Sequence, residues 1–519
     1  MFDDNRPTAA DLRNQAFGSI PDLIAAYAHE QPDAAALVVE DVSVTYAEFD
    51  AQADRVAAAL QRADLGAGDT IALCASTSPE YYAVYMGALR AGLTVAPLPS
   101  GMTVETTAAM VRDSGASRVF ADAVLGDRAA AIREKTAARW IALDDTDVGE
   151  AFSGWLEPAG AKPRRVRVTP DMVQDIIYSS GTTGVPKGVA QARGTRWRDV
   201  TRGIMAPNQV TLLSTPPYTT PTLSTLLLTI AVGGTVVMMK KFDAARYLEL
   251  AERRRVTFTT LVPVQLRRLM DAPEFGRFDL SSLQSTVCTS APSTAELKAE
   301  VVRRWPGRFI ELYGMTEGGI TCVLDAHAFP DKLHTVGKPG TACEVRTIDD
   351  EGRELPPGSV GEVVGRNEIM MARYHNQPER TAEAEWFDAE GNRFIRTGDI
   401  GRIDEDGFMV LIGRKKDMII SGGFNIYPID IEAVMASHPA VEEAAVVGAP
   451  SRRWGETPVA FVVLRPGKTM DAQGLLAWTN ARLGKTQRLA ALRLVEELPR
   501  SHIGKVLKRQ LREQLAEVA

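Results

Sequence analysis

The sequence predicts an α/β protein with a large N-terminal domain of layered α/β subdomains and a small, mobile α+β C-terminal domain. A chain of 519 residues is longer than one hydrophobic core usually serves. Short β-branched runs, such as TIALC and GTVVMM, alternate with helix-like stretches, such as YAEFDAQADRVAAALQ, and this alternation is typical of α/β layers. A basic and then glycine-rich segment, RKKDMIISGG, follows a predicted hairpin and indicates a hinge between two domains.

The first domain, residues 1–413, contains five short runs that we interpret as strands: TIALC, TVAPL, RVFAD, GTVVMM and STVCTS. The stretches YAEFDAQADRVAAALQ and AAMVRDSG predict helices between them. The most apolar stretch, 223–239, is shorter than the roughly 20 residues that a membrane-spanning helix needs, and Gly233-Gly234 interrupts it. It predicts a buried helix, a turn and a buried strand, with no stable insertion into a membrane.

The second domain, residues 414–519, begins where a predicted hairpin ends. The segment GDIGRIDEDGFMVLIG predicts two strands that turn at Glu405-Asp406-Gly407. Leu507, Leu511 and Leu515 share one face of a helical pattern near the carboxyl end. The elements predicted in this domain are a helix over 429–437, a strand over 459–464 and a helix over 505–518.

Composition and charge exclude several classes of protein. With 45% apolar and 24% charged residues, the chain has the composition of an ordinary globular protein. Its net charge of −7 offers no electrostatic footprint for nucleic acid. Four scattered cysteines indicate neither a disulfide scaffold nor a zinc site, and the acidic amino terminus does not resemble an export signal. We therefore expect a cytoplasmic protein, and the sequence leaves open whether it is a monomer or a homodimer.

A polar, glycine-rich loop carries the strongest chemical signal. It follows the apolar run 176–178 and has the sequence Ser179-Ser180-Gly181-Thr182-Thr183-Gly184-Val185-Pro186-Lys187-Gly188. Glycines let backbone N–H groups approach phosphate oxygens, hydroxyls donate to the same oxygens, and Lys187 adds a point charge. A Walker loop would need Gly before the lysine and a hydroxyl after it, whereas Pro186 and Gly188 stand there. Taken alone, the pattern fits a polyphosphate-binding loop and a polar turn equally well.

Six further segments accompany this loop along the chain. They are Val44–Phe49 (VTYAEF), Leu89–Pro97 (LRAGLTVAP), Leu312–Glu317 (LYGMTE), Arg396–Asp399 (RTGD), Gly413–Asp417 (GRKKD) and Leu498–Lys505 (LPRSHIGK). With the loop, and in this order, they resemble the motifs of the adenylate-forming superfamily of acyl- and aryl-CoA ligases, luciferases and peptide-synthetase adenylation domains. The resemblance covers nearly the whole chain and is strongest to CoA ligases of the chlorobenzoate type. It implies a ligase that uses ATP, Mg²⁺ and coenzyme A.

The resemblance assigns nucleotide chemistry to particular residues. It implies that Lys505, Thr182 and Glu317 act in catalysis, with Glu317 as the magnesium ligand. Attack of a carboxylate on ATP brings two anions together, so a cation such as the Lys505 ammonium must offset the repulsion at the α-phosphate. Tyr313 offers a ring face for adenine, and Asp399 can accept hydrogen bonds from ribose hydroxyls. The ATP-binding residues that the resemblance implies are Ser179, Ser180, Gly181, Thr182, Thr183, Gly184, Lys187, Ser290, Ala291, Pro292, Tyr313, Gly314, Met315, Thr316, Asp399, Arg414 and Lys505.

For the thiol acceptor, the resemblance implies a path for the pantetheine arm along two glycines, which present no side chain. The segment 452–456 (RRWGE) is similar to the part of chlorobenzoate-type CoA ligases near the nucleotide end of CoA, where arginines meet phosphate and Trp454 meets adenine or the arm. Many relatives have an aromatic-Lys-x-Pro sequence before the last strand, but this chain has only Arg488 as a charge there. The implied CoA-binding residues are Gly422, Gly423, Phe424, Arg453, Trp454 and Arg488. Lys416 is the implied hinge, about which the small domain rotates between the two reaction steps.

The acid pocket is the part that the sequence specifies least. The resemblance places it at segment 214–222 (STPPYTTPT), with Tyr218 where relatives have His. The segment contains no Arg or Lys to pair a second carboxylate, which disfavours dicarboxylic acids. An apolar aromatic or arylalkanoic acid is the first choice, and a medium- or long-chain fatty acid is the second. The implied acid-binding residues are Tyr218, Thr219, Thr289, Gly314 and Met315.

Rival functions stay open at this point. A free-standing adenylation enzyme that charges a carrier protein would share every nucleotide motif, although the chain ends soon after Lys505 without a carrier domain. A luciferase-like oxygenase is a less favoured alternative. A non-catalytic acyl- or nucleotide-binding protein should lack a charged catalytic residue, whereas this chain has all five: Lys187, Glu317, Asp399, Arg414 and Lys505. The sequence specifies neither the acid nor the pathway, and it leaves the acceptor open between CoA and a carrier protein.

Overall fold

A computed structural model describes residues 6–179, 187–422, 424–501 and 504–516, and over these ranges the chain forms four β-sheets flanked by helices. The first sheet has nine strands, and its six central strands pair in parallel. Antiparallel strands extend it at both edges. In spatial order its strands are Lys338–Pro339, Thr321–Asp325, Arg308–Gly314, Ser285–Cys288, Phe258–Leu261, Val210–Leu213, Thr235–Met238, Ala35–Val39 and Val42–Thr45.

The second sheet has eight strands and holds the strand that leads into the predicted phosphate loop. All five residues of its inner strand Thr70–Cys74 are buried. Such continuous burial is expected when helices cover both faces of a parallel sheet. In spatial order the strands are Arg373–Tyr374, Lys187–Ala192, Val173–Ser179, Thr94–Pro97, Thr70–Cys74, Ala116–Ala121, Arg139–Ala142 and Glu150–Ala151.

The third and fourth sheets follow in the second half of the chain. The third is antiparallel and consists of Glu344–Ile348, Gly361–Arg366, Arg393–Ile403, Glu385–Phe387 and Met409–Arg414. The fourth consists of Phe424–Ile426, Ile419–Ser421, Gly455–Leu464, Val441–Ser451 and Ala491–Leu494. Its own apolar clusters, which include Val446 and Phe461, form a core separate from that of the large sheets.

Helices pack on the sheets, and several of them begin at a residue whose side chain caps the first turn. Thr45 accepts a hydrogen bond from the backbone N–H of Glu48, and the Glu48 side chain accepts one from the N–H of Thr45, a reciprocal cap that starts the helix Tyr46–Arg62. The helices are Ala9–Arg13, Ile20–Glu30, Tyr46–Arg62, Pro79–Arg90, Val104–Asp113, Arg128–Glu134, Phe152–Trp155, Arg193–Thr201, Thr220–Ala231, Ala244–Arg253, Pro263–Met270, Ala295–Arg304, Pro378–Glu383, Pro428–Ala436, Ala472–Asn480 and Lys508–Ala516.

The structure confirms the predicted fold class and most of the predicted elements. The stretch 223–239 forms a buried helix, a turn with Gly233 at φ +70°, and a buried strand. Within the described residues, no helix combines the length and the apolar character that crossing a membrane requires. The four cysteines are free, and three of them are buried. The division at residue 413 stays a prediction.

The terminal helix is shorter than expected. It was predicted to begin at Lys505, but in the structure it begins at Lys508. Lys505 instead lies in a turn in which the N–H of Ser501 donates to the carbonyl of Lys505, and Gly504 adopts φ +76°. Leu511 and Leu515 are buried on one face of the helix as predicted, whereas Leu507 precedes it.

Candidate active site

The predicted site segments lie at the carboxyl ends of three parallel strands of the nine-stranded sheet. Strand Arg308–Gly314 leads into Met315-Thr316-Glu317, strand Ser285–Cys288 leads into 289–292, and strand Val210–Leu213 leads into 214–219. Ligands of open α/β sheets bind at this edge. Two hydrogen bonds join the segments: Thr289 Oγ1 donates to the Leu312 carbonyl at 2.8 Å, and the hydroxyls of Thr220 and Thr316 lie 3.0 Å apart. The structure therefore brings these segments together.

A charged network connects Tyr313 with the third sheet. The Tyr313 hydroxyl donates to Asp399 Oδ2 at 2.5 Å, and Arg414 Nε lies 2.6 Å from Asp399 Oδ1. Burial and the neighbouring Asp399 carboxylate raise the pKa of Tyr313 well above its usual value. Both carboxylate oxygens thus have a protein partner and can accept a ribose hydroxyl only through their remaining lone pairs.

Glu317 contacts the short strand Arg373–Tyr374, which pairs with the strand that follows the predicted phosphate loop. The Tyr374 hydroxyl donates to Glu317 Oε1 at 2.7 Å, and Lys187 Nζ lies 4.7 Å from the centroid of the Tyr374 ring. Among the described residues, Glu317 Oε2 has no hydrogen-bond partner, and no cluster of three His, Cys, Asp or Glu side chains forms a complete metal site. One free carboxylate oxygen fits Mg²⁺, which is commonly held by one or two carboxylates together with substrate phosphates.

The phosphate loop itself falls largely outside the described residues. Ser180, Gly181, Thr182, Thr183 and Gly184 are not described, and Ser179 is described only as the last residue of its strand. The second nucleotide segment is described in full. Its residues Ser290, Ala291 and Pro292 and the neighbouring Gly314 and Met315 are all at least partly exposed at the strand ends.

Ser290 has a left-handed backbone conformation, with φ +76°. Such a conformation is uncommon for a residue with a side chain, and it is concentrated at functional sites. It distinguishes this residue from its neighbours in the segment.

Lys505 reaches this region from the small sheet. Its turn packs on the helix Pro263–Met270 so closely that a β-carbon on Gly504 would lie 2.8 Å from Val264 Cγ1. Burial lowers the pKa of Lys505, the Arg414 guanidinium lowers it further, and the Asp399 carboxylate acts in the opposite direction. The predicted catalytic lysine therefore lies within the electrostatic field of the predicted nucleotide site.

Ion pairs flank the predicted hinge on both sides. Lys415 pairs with Asp350 at 2.9 Å and with Glu362 at 3.1 Å, both in the third-sheet region, and Asp417 pairs with Arg512 of the terminal helix at 2.9 Å. Within the described part of the chain, Lys416 makes no ion pair and is exposed.

The predicted acid segment forms a threonine-rich wall. The Thr222 hydroxyl lies 2.6 Å from that of Thr215 and 2.9 Å from that of Thr219. Tyr218 is half-buried, and burial raises the pKa of its phenol. The wall presents no cation, as the sequence predicted for residues 214–222.

Three of the predicted CoA residues, Gly422, Arg453 and Trp454, form one surface. The N–H of Gly422 donates to the Trp454 carbonyl at 2.8 Å, and a β-carbon on Gly422, which has φ +58°, would lie 2.9 Å from the Trp454 ring. Arg453 stacks on that ring at 4.6 Å, and Phe424 is 58% exposed. Arg488 is exposed on a separate loop, and Gly423 lies outside the described residues.

Sequence reasoning missed two residues that shape the site. Tyr374 bonds Glu317, and Gln191 Nε2 donates to the Thr316 carbonyl at 2.6 Å. No local signal in the sequence marks either contact, because Tyr374 lies 57 positions from Glu317 and Gln191 lies 125 positions from Thr316.

Comparison with known proteins gives a consistent result. A model of the AMP-binding enzyme family matches residues 24–375, and a model of the AMP-binding enzyme C-terminal domain matches residues 430–505. A fatty acid–acyl-carrier-protein ligase, ScoC, from Streptomyces coeruleorubidus is 33% identical over 94% of each chain. A feruloyl-CoA synthase from an Amycolatopsis species is 32% identical over 96% of this chain and 99% of its own. The structure of the amide bond synthetase McbA from Marinactinospora thermotolerans matches with a TM-score of 0.85 and 28% identity, over 96% of this chain and all of its own.

Proposed function

The chain belongs to the AMP-binding enzyme family, and from that membership we propose that it is an AMP-forming acid:thiol ligase. It activates an apolar carboxylic acid as its acyl-adenylate and transfers the acyl group to coenzyme A. The observation that carries the proposal is the position of Lys505, held by the packing of Gly504 on Val264 in the field of Asp399, Arg414 and Glu317.

In the first step, a carboxylate oxygen of the acid attacks the α-phosphorus of ATP, and the bond to pyrophosphate breaks. Two anions approach each other, so stabilisation of the developing charge by a fixed cation lowers the barrier. The Lys505 ammonium contacts the carboxylate oxygen of the acid and an oxygen of the α-phosphate, and Lys187 contacts the departing pyrophosphate. From the family resemblance, we assign the loop residues 179–184 to the same phosphates, with Thr182 as a hydrogen-bond donor.

The nucleotide occupies the groove between the strand ends and the third sheet. The Tyr313 ring packs against adenine, together with 290–292 and 314–316. Asp399 accepts from a ribose hydroxyl while Tyr313 and Arg414 hold its carboxylate in place. Glu317 holds Mg²⁺, which supplies charge neutralisation at the phosphates.

In the second step, the CoA thiolate attacks the acyl carbon, and AMP leaves with the former carboxylate oxygen. Lys505 and Gly422 lie on separate loops, and both loops cannot occupy the small site beside the carboxyl group of the acid at once. The small domain, residues 414–519, therefore rotates about Lys416 between the steps. Gly422 and Gly423 pass the pantetheine arm, Phe424 borders it, and Arg453 with Trp454 receives the nucleotide end. Arg488 adds one further charge.

The acid is apolar, and an aromatic or arylalkanoic acid is favoured over a medium- or long-chain fatty acid. Tyr218, Thr219, Thr289, Gly314 and Met315 contact it. The absence of a cation from residues 214–222 supports a monocarboxylic acid. The names of the relatives support both acid classes, since one acts on ferulate and the other on fatty acids.

A carrier protein is the second candidate acceptor. The relative that is 33% identical is a ligase of this kind. A carrier protein delivers the same pantetheine thiol, so the first step and its residues would be unchanged.

A screen of acids with ATP and magnesium, with and without CoA, tests the proposal. We expect AMP and pyrophosphate from apolar monocarboxylic acids, and an acyl-CoA when CoA is present. If the adenylate persists in millimolar CoA and discharges only onto a carrier protein, the carrier protein and not CoA is the acceptor. ADP as the nucleotide product would overturn the proposal.

A further inference from the structure

Tyr374 lies between Glu317 and Lys187, the two charged side chains that the proposed function assigns to magnesium and to the phosphates. Its hydroxyl donates to Glu317 Oε1 at 2.7 Å, and its ring face lies 4.7 Å from Lys187 Nζ. A cation over a tyrosine ring is attracted by the electron-rich face, and a hydrogen bond to a carboxylate is among the stronger ones in proteins. One side chain therefore holds both charges.

The backbone around Tyr374 is fixed to the same two elements. The N–H of Met371 donates to the Glu317 carbonyl at 2.7 Å, and the N–H of His375 donates to the Gly188 carbonyl at 2.7 Å. Tyr374 also lies opposite Val189 in a short antiparallel pair, and it is only 4% exposed. The segment thus ties the end of strand Arg308–Gly314 to the strand that follows the phosphate loop, with the phenol between them.

Lys187 and Glu317 form no ion pair with each other in the described part of the chain. Opposite charges this close to a common neighbour attract each other strongly in a partly buried site. A direct pair would occupy both the Lys187 ammonium and the Glu317 oxygen that is free for a metal. The Tyr374 ring and hydroxyl give each charge a separate partner, which keeps both available.

We infer that Tyr374 is a positioning residue that keeps Glu317 Oε2 free for the magnesium ion of MgATP and keeps Lys187 directed at the phosphates. The inference deepens the proposed function and rests on it. The hydroxyl and the ring have separable tasks: the hydroxyl orients the metal-binding carboxylate, and the ring separates the ammonium from that carboxylate.

Two substitutions separate these tasks. Tyr374→Phe keeps the ring and removes the hydrogen bond to Glu317; because second-shell partners of metal ligands typically contribute ten- to a hundredfold in affinity, the half-saturating magnesium concentration for ATP binding should rise about tenfold or more. ATP affinity at saturating magnesium should stay close to that of the wild type. Tyr374→Leu removes both contacts and should also weaken ATP binding at saturating magnesium, since Lys187 is then free to pair with Glu317.

Tyr247→Phe is the matched control. Tyr247 is also buried, and its hydroxyl lies 2.5 Å from that of Thr259, so its loss removes a buried hydroxyl contact in a different part of the fold. A loss of Tm common to both Phe variants reports the general cost of removing a buried hydroxyl. A shift in magnesium dependence confined to the Tyr374 variants reports positioning.

The experiment is isothermal calorimetry of ATP binding to the full chain, with magnesium varied and no acid or CoA present. A raised magnesium requirement in Tyr374→Phe, absent from Tyr247→Phe, supports the inference. Wild-type ATP binding with the same magnesium dependence in Tyr374→Phe overturns the inference and leaves the proposed function intact. Failure of the wild-type protein to bind ATP overturns the proposed function and this inference with it.

Discussion

Replacement of Gly504 by alanine perturbs the contact that docks the Lys505 turn on the large domain. Gly504 has φ +76°, and a β-carbon there would lie 2.8 Å from Val264 Cγ1. The left-handed backbone costs an L-residue about 1–2 kcal/mol. The new contact is far inside the usual carbon–carbon separation of about 3.5–4.0 Å, and overpacking of this kind costs about 1–3 kcal/mol.

Only the overpacking cost is specific to the docked arrangement, and its lower value of about 1 kcal/mol corresponds to a reduction of about fivefold in the rate of acyl-adenylate formation. Val264→Ala removes the clashing Cγ1 and leaves the backbone strain. The double variant should therefore recover at least about fivefold, the equivalent of 1 kcal/mol. The steric part should be absent from thioester formation if the small domain rotates away from Val264 between the steps.

Single-turnover kinetics on each half-reaction measures these rates, with Val264→Ala alone as the control for loss of the side chain. Adenylation by Gly504→Ala within twofold of the wild type would refute the docking of the turn as a requirement for the first step. A double variant no faster than Gly504→Ala would show that the close approach to Val264 is not the cause.

Three further predictions concern the charge on the catalytic lysine, the nucleotide groove and the thiol path. Burial lowers the pKa of Lys505 below its usual 10.5, so its ammonium is lost as pH rises through that lowered pKa. The adenylation rate should be constant near neutral pH and should begin to fall, as pH is raised, before pH 10.5 is reached. A constant rate up to pH 10.5 would contradict this. Tyr313→Phe removes the 2.5 Å bond to Asp399, which is worth about 1.5–3 kcal/mol to a charged acceptor, and should raise the KM for ATP about tenfold or more, with the KM for the acid unchanged as the internal control. Gly422→Ala places a carbon 2.9 Å from the Trp454 ring and should raise the KM for CoA while single-turnover adenylation proceeds at the wild-type rate; equal losses in both steps would refute its place in the thiol path.

The sequence predicted the site elements well where signals are local. Runs of β-branched residues predicted the buried strands, and glycines predicted the turn at Gly233 and the hairpin at Gly407. In the structure both glycines have a positive φ. The run STVCTS was predicted as a strand and leads into the segment 289–292, whereas the strands that end at Gly314 and Leu213 were not predicted and come from the structure.

Long-range contacts account for what the sequence did not predict. Tyr374 is 57 positions from Glu317, and Lys415 is 53 positions from Glu362, so nothing in the neighbouring residues records either contact. The helical pattern of leucines also led to a predicted terminal helix that begins at Lys505. The positive φ of Gly504 and the Ser501–Lys505 hydrogen bond form a turn there instead, and the helix begins after it.

The fate of the acid's carboxylate oxygen tests the central claim most directly. An acid labelled with ¹⁸O in its carboxyl group is incubated with the enzyme, ATP, magnesium and CoA, and the nucleotide product is analysed by mass spectrometry. Attack at the α-phosphorus followed by transfer to the thiol predicts AMP that carries one ¹⁸O atom, formed in equal amount with acyl-CoA. Unlabelled AMP, or ¹⁸O in inorganic phosphate together with ADP, would contradict an acyl-adenylate mechanism.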